Sequence, residues 1–305
     1  QTNLMRLSVG IALAVVLLSV LLSRMLTRKI GLLLTGIRKV REGAYEHRTH
    51  IPGRDEIAQI GEEFNSLTDR LQTTETLRRR FVSDASHELK TPLAAIRLLT
   101  DSILQTDQMD METVRDFVTD IGSEAERLSR ITEDLLRLTR LDSDLLDAPE
   151  TVEVAPVLEQ VMRMMSLLAQ KKGTELTYRM EENCRVSATK GEVHQVIYNL
   201  TDNAVKYSGK NGKVRVELRH EDHDVVLTVA DNGPGIPEED LPKVFERFYR
   251  VDKARSRAAG GTGLGLSIVQ DTVKKRGGMV SAANRPNGGA VFTVRWPEAE
   301  GGDHS

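Results

Sequence analysis

The sequence predicts a multidomain chain: a transmembrane helix, a helical linker, an antiparallel helical hairpin that doubles into a four-helix bundle, and an α/β sandwich. Three observations predict it. Residues 4–26 are a mostly apolar run, and residues 30–142 carry apolar side chains at helical steps. Beyond residue 153 strand-like alternation appears between shorter helices. At 305 residues the chain is too long for one typical core and long enough for two or three modules. Lys and Arg number 42 against 45 Asp and Glu, and the net charge of -3 gives no sign of a nucleic-acid partner. The single Cys184 excludes an internal disulfide and a cysteine-based zinc site, and fits a reducing compartment.

As a helix, residues 4–26 would extend about 34 Å, enough for the hydrocarbon layer of a bilayer. Arg6 sits near one end; Arg24, Arg28 and Lys29 cluster at the other and place the following chain in the cytoplasm. A signal peptide would show a small-residue cleavage site after the apolar run, whereas this chain continues into amphipathic helix. It opens on Gln rather than Met and reads as a fragment of a longer protein, with anything on the far side of the membrane left out.

Ile30, Leu33, Leu34, Ile37 and Val40 form a helical stripe within residues 30–43. A polar extended piece follows over 44–52, with Gly53 as a turn, and then Ile57, Ile60, Phe64, Leu67 and Leu71 repeat at three- and four-residue steps. Two short helices joined by an extended connector bury little alone, which predicts a homodimer. This region, 28–76, resembles the HAMP linker of bacterial receptors, through Arg54-Asp55-Glu56-Ile57 opening the second helix and Phe64-Asn65 inside it. It departs from that pattern in lacking a proline near the start of the first helix, where Ile30-Gly31 stands.

Residues 77–106 read as helix again, and 111–142 as a second long helix with a stripe from Val114 and Phe117 through Ile131, Leu138 and Leu141. The short link between them makes an antiparallel hairpin over 77–147. Residues 142–153, with Pro149, read as a linker. Helices at 154–171, 191–208 and 265–276 and strands at 174–180, 213–220, 225–231, 278–284 and 289–296 make one α/β sandwich over 148–298. Residues 299–305, rich in Gly and Glu with their neighbours, read as a frayed tail.

Phe81-Val82-Ser83-Asp84-Ala85-Ser86-His87-Glu88-Leu89-Lys90-Thr91-Pro92-Leu93 sets a histidine beside an acid, within helix and ahead of a proline. Phe81, Ala85, Leu89, Leu93 and Ile96 supply the buried stripe and leave His87 off that face. An exposed imidazole with one unprotonated nitrogen is a nucleophile, and Glu88 can accept its proton or orient the ring. Pro92 removes an intrahelical hydrogen bond and bends the helix there. Taken alone, such a histidine is more often structural; the later motifs reverse that.

Asp231-Asn232-Gly233-Pro234-Gly235 follows a strand; an aspartate there can accept the exocyclic amine of adenine while the glycines let backbone approach the base. Gly261-Thr262-Gly263-Leu264-Gly265 enters a helix whose free N–H groups suit phosphate oxygens. It lacks the Lys-Ser/Thr pair of a Walker loop and the preceding strand of a dinucleotide fingerprint. Asn199 and Asn203 share a helical face, with Glu192 and Lys206 on the same segment, and two carboxamide oxygens can help hold Mg²⁺. Lys206 can neutralise phosphate and Tyr207 can pack near the base. Phe245-Glu246-Arg247-Phe248-Tyr249-Arg250 precedes a polar stretch that reads as a mobile lid. Its Arg250, Lys253, Arg255 and Arg257 either meet polyphosphate or form a solvated loop.

Together these motifs resemble bacterial membrane-bound sensor histidine kinases of two-component systems, over nearly everything after residue 27. The segment 81–96 is similar to the phospho-acceptor box, which makes His87 the phosphorylated residue, Glu88 the assisting acid and Thr91 a residue used in removing phosphate from the partner. Residues 199–207 resemble the N box, with Asn203 the principal magnesium ligand, Asn199 its companion, and Lys206 and Tyr207 beside the nucleotide. Asp231, Gly233 and Gly235 match the first glycine box, residues 245–248 the F box, and Gly261, Gly263, Leu264 and Gly265 the second. The resemblance implies a histidine-kinase ATPase (Bergerat) sandwich of the GHKL type, with ATP and Mg²⁺ bound. It further implies a homodimer at the bacterial cell membrane, transfer to His87, and onward transfer to an aspartate of a separate response regulator. Alternatives are a phosphatase-dominant or catalytically inactive signalling scaffold, or a non-kinase ATPase of the same fold.

Overall fold

The computed structural model describes residues 2–106, 109–141, 148–209, 211–251 and 261–299. Two compact units, Gln1–Ser83 and Asp84–Ser305, divide the chain. In the first, α1 (Thr2–Arg41) is one helix of 40 residues, and Leu13 and Leu17 on it stand exposed. Its length and composition are enough to cross a membrane. No proline interrupts α1, and a lone glycine such as Gly31 costs a helix only about 1 kcal/mol, so the stripe from Ile30 to Val40 continues the apolar run.

The connector that follows is held by side chains of α2 (Glu56–Gln105). Asn65 accepts from the Thr49 backbone N–H (2.9 Å) and donates to the Thr49 carbonyl (3.0 Å), so one carboxamide serves both polar groups of a buried residue. Asp55 accepts from Ala58 N–H at the start of α2 and pairs with Lys29 at 2.6 Å. The Lys29 hydrogen bond, with that of Ala58, holds the Asp55 carboxyl below its usual range. Asn65→Ala would strand the Thr49 backbone groups, and the expected cost is about 1–3 kcal/mol. Faster hydrogen exchange at the Thr49 amide would report it.

The second unit takes up α2 from Asp84 onward; the helix runs unbroken past residues 76 and 77 and through Pro92. It is followed by α3 (Met111–Leu141), on which Ile131 and Leu138 are fully buried. Leu93, Leu98, Val118 and Leu136 remain exposed on the hairpin.

The rest is an α/β sandwich. Strands β2 (Glu175–Met180), β4 (Lys213–Glu221), β5 (Asp224–Asp231), β6 (Met279–Asn284) and β7 (Ala290–Pro297) form a five-stranded sheet in the order β2-β4-β5-β7-β6. β2 and β4 are parallel and the other pairs antiparallel. Alternation puts Val214, Val216, Leu218, Val225, Leu227, Val229, Phe292, Val294 and Trp296 in the core. Helices α4 (Val154–Lys172), α5 (Lys190–Tyr207) and α6 (Gly265–Lys275) contribute Leu158, Met162, Ile197, Leu200, Val269 and Val273 to that core. A capping box starts α5: Thr189 accepts from Glu192 N–H while the Glu192 carboxylate accepts from Thr189 N–H. The same carboxylate takes a bidentate pair from Arg276 (2.8 and 2.9 Å), so Glu192 is structural.

Two strands escape the sequence reading. β1 (Glu150–Glu153) pairs antiparallel with β3 (Arg185–Ala188) in a separate two-stranded sheet. The end of the expected linker is thus a strand, anchored by the single buried Val152. Residues 142–147 of that linker, and 300–305 of the expected tail, lie outside the described residues.

Candidate functional site

A cavity of about 610 Å³ opens between α5, the loops after β5 and before α6, and α3. Asp231 closes its inner wall at the end of β5, one residue past the last β5–β7 pair, Ala230 with Val291. The carboxylate is 4% exposed, and its Oδ1 accepts from Gly233 N–H (2.8 Å) and Ala290 N–H (3.2 Å). Burial pushes the Asp231 carboxyl above its usual range, against the pull of those two N–H groups. With Oδ1 so engaged, the carboxylate keeps acceptor capacity at Oδ2 for a donor inside the cavity. Gly233 is required by a close approach: a Cβ there would lie 2.4 Å from the Tyr207 carbonyl oxygen.

α5 supplies the facing wall. Asn199 and Asn203 both line the cavity, but they differ in what they hold. Asn199 accepts from Gln195 (2.8 Å) and donates to the Gly265 carbonyl (3.1 Å), fixing the start of α6. Asn203 has no hydrogen bond among the described residues, so its carboxamide is available to a ligand. Lys206 is paired with Asp202 at 2.6 Å, an acid that the sequence reading passed over. Tyr207, Gly235, Arg250, Gly261, Gly263 and Gly265 complete the lining among the expected residues. Gly233 and Leu264 support it from behind: Leu264 is fully buried and its N–H donates to Thr262 Oγ1. Lys253, Arg255 and Arg257 lie outside the described residues.

Three supports had no signal in the local sequence. Asn284 accepts from Ile236 N–H and donates to the Ile236 carbonyl, holding the loop after β5. Arg285 donates to the Asp231 carbonyl at 2.8 Å. Tyr249 donates to Asp240 at 2.6 Å, and that carboxylate pushes its phenol up to about 12.

His87, Glu88 and Thr91 lie on α2, apart from the cavity lining. His87 is exposed, whereas of the stripe expected to be buried Phe81, Ala85, Leu89 and Ile96 are only half-buried and Leu93 is exposed; Thr91 one turn further donates its hydroxyl to the His87 carbonyl (3.1 Å). Glu88 is held by two guanidinium groups at Oε2: Arg127 of α3 at 3.2 Å and Arg250 at 3.5 Å. Arg250 also donates to the Gly261 carbonyl, linking the cavity rim to the residue next to His87.

A nucleotide-sized cavity in an α/β sandwich, joined through one arginine to the neighbour of an exposed histidine, is a layout suited to phosphotransfer. Comparison with known proteins agrees. Residues 21–73 match the HAMP domain and residues 77–144 the His Kinase A (phospho-acceptor) domain. Residues 188–300 match the histidine kinase-, DNA gyrase B-, and HSP90-like ATPase family. The chain thus carries the three cytoplasmic domains of sensor histidine kinases, and the curated proteins it matches are sensor histidine kinases. It is 34% identical to the signal transduction histidine-protein kinase AfsQ2 of Streptomyces coelicolor, over 95% of this chain and 57% of that protein. With BaeS of Escherichia coli it shares 32% identity over 91% of this chain and 59% of that protein. The chain therefore spans well under two thirds of the length of these relatives. Among solved structures, full-length ShkA in complex with AMPPNP is similar, with a TM-score of 0.53 and 28% identity over 74% of this chain and 46% of that one.

Proposed function

We propose that this chain is an ATP-dependent protein-histidine kinase that phosphorylates His87 and passes the phosphoryl group to an aspartate of a separate response regulator. The observation that carries the reading is the Arg250 bridge, from the rim of the nucleotide cavity to Glu88 beside the exposed His87. In the reaction a ring nitrogen of His87 attacks the γ-phosphorus of ATP, the bond from that phosphorus to the β–γ bridging oxygen breaks, and ADP leaves. Glu88 takes the ring proton. Asp231 receives the adenine amine, and the cavity volume is adequate for a nucleotide. Asn203, with its carboxamide uncommitted, is the first candidate to hold Mg²⁺ alongside phosphate oxygens and water; Asn199, already bonded twice, is its weaker companion. Mg²⁺ would neutralise charge on the phosphates.

The exposed apolar residues of the hairpin fit the face that a second copy covers in a homodimeric bundle. α1 fits a membrane anchor with the remaining chain cytoplasmic, and the near-neutral charge fits protein partners rather than nucleic acid. The exposure of Thr91 one turn from His87 supports a role for it in removing the regulator's phosphoryl group.

The test is incubation of the full chain with γ-labelled ATP and Mg²⁺ beside His87→Ala. Acid-labile, base-stable label is expected on the wild type and none on His87→Ala, which still binds ATP. A folded wild type that binds no ATP would sink the reading.

A further inference from the structure

The two donors at the cavity rim are both turned toward carboxylates of the hairpin. The Arg250 side chain is 5% exposed and is paired with Glu88 of α2. Thr262, between Gly261 and Gly263, donates its hydroxyl to Oδ2 of Asp134 on α3 at 2.8 Å. Asp134 itself lines the nucleotide cavity, and the charged groups acting on it are Arg137, Lys206 and Glu133. Burial raises its pKa above the usual carboxylate value, the sign of an acid held in poor solvent. A third contact, from Lys275 of α6 to the Leu141 carbonyl (2.7 Å), puts a cation on the C-terminal end of α3.

These contacts use the groups that the nucleotide needs. A threonine hydroxyl has one proton to donate, so Thr262 serves Asp134 or a phosphate oxygen, not both. A carboxylate at the phosphate loop also repels polyphosphate in a partly dry cavity. We propose that Asp134 and Glu88 compete with the phosphates of ATP for Thr262 and Arg250, so that nucleotide loading detaches the ATP-binding domain from the hairpin. Detachment leaves Glu88 with Arg127 alone and frees it to serve His87. The proposal rests on the nucleotide reading of the cavity and adds a coupling that the reading does not need.

The test uses the full chain in nanodiscs, with spin labels on Glu126→Cys and Lys274→Cys, diluted in unlabelled chain so that only distances within a protomer are read. Cys184 is buried. Without nucleotide, one short, narrow distance is expected; saturating AMPPNP should lengthen and broaden it. In parallel, Asp134→Ala should bind AMPPNP about tenfold more tightly in calorimetry, having lost the competing acceptor. An unchanged distance with AMPPNP bound, or wild-type affinity in a folded Asp134→Ala, overturns the competition. The distance change needs no Asp134 variant, so the test stays decisive if that variant does not fold. No AMPPNP binding at all would instead overturn the nucleotide reading beneath it.

Discussion

Asp231→Ala is expected to weaken ATP binding by at least about 100-fold while the hairpin keeps its helices. The side chain serves the nucleotide and its own loop together. Removing it takes away the acceptor proposed for the adenine amine and leaves the half-buried Gly233 N–H and the buried Ala290 N–H without that partner. Each such loss is worth about 1–3 kcal/mol, and about 1.4 kcal/mol is tenfold in affinity. Asp231→Asn separates the two effects. Its carbonyl oxygen can keep both N–H groups, but an NH₂ replaces the second oxygen and meets the adenine amine donor to donor. Calorimetry should therefore show lost binding in both variants, and thermal melting a clear stability loss only in Asp231→Ala.

The pH dependence follows from the same carboxyl. Its folded pKa is raised by burial above the ordinary 3.8. Its contribution to stability is therefore fully present below the unfolded value and lost as pH rises through the folded one. Nucleotide affinity runs the other way, because the adenine amine needs the ionised form and binding strengthens as pH rises through that range. A wild-type affinity profile without an inflection above the ordinary carboxylate range would contradict the assignment.

What was legible in the sequence had local causes. The strands β4, β5 and β7 were found because inward valines, leucines and aromatics alternate over eight or nine residues. β1 and β3 were not, because four residues with one or two buried positions carry no period. The fusion of anchor and linker into α1 was foreshadowed by the missing proline, whose structural meaning emerged only with the unbroken helix. Among the site residues, those in contiguous motifs were found and those acting across the fold were not. Arg127 reads as an ordinary helix charge until it lies beside Glu88, 39 residues away. Asp134 reads as one more acid on α3 until it meets Thr262, 128 residues away. Lys206 is expected to face phosphate, but in the fold it pairs with Asp202, one turn earlier on α5.

Gly289 gives the sharpest instance, because the sequence reading used it only as the start of a strand. It sits at φ +91, and a Cβ there would lie 2.0 Å from the Asp231 carbonyl oxygen and 2.7 Å from its carbon. Those atoms are backbone, and Arg285 fixes them from the other side while its own N–H bonds the Gly289 carbonyl. No rotamer relieves the clash, so β5 and the turn before β7 must separate. Gly289→Ala is therefore expected to destabilise the ATP-binding domain by about 3 kcal/mol or more, adding backbone strain to overpacking. It should lower nucleotide affinity as well, because the displaced group is the main chain of Asp231. Gly288 next to it is the control. Its φ is +87 but nothing lies within 4 Å of a Cβ there, so Gly288→Ala carries the conformational cost alone, about 1 kcal/mol. Chemical denaturation of the two variants reads the difference directly. Equal midpoints would mean that the β6–β7 turn yields more readily than its backbone contacts imply, and that Asp231 is not held by packing at Gly289.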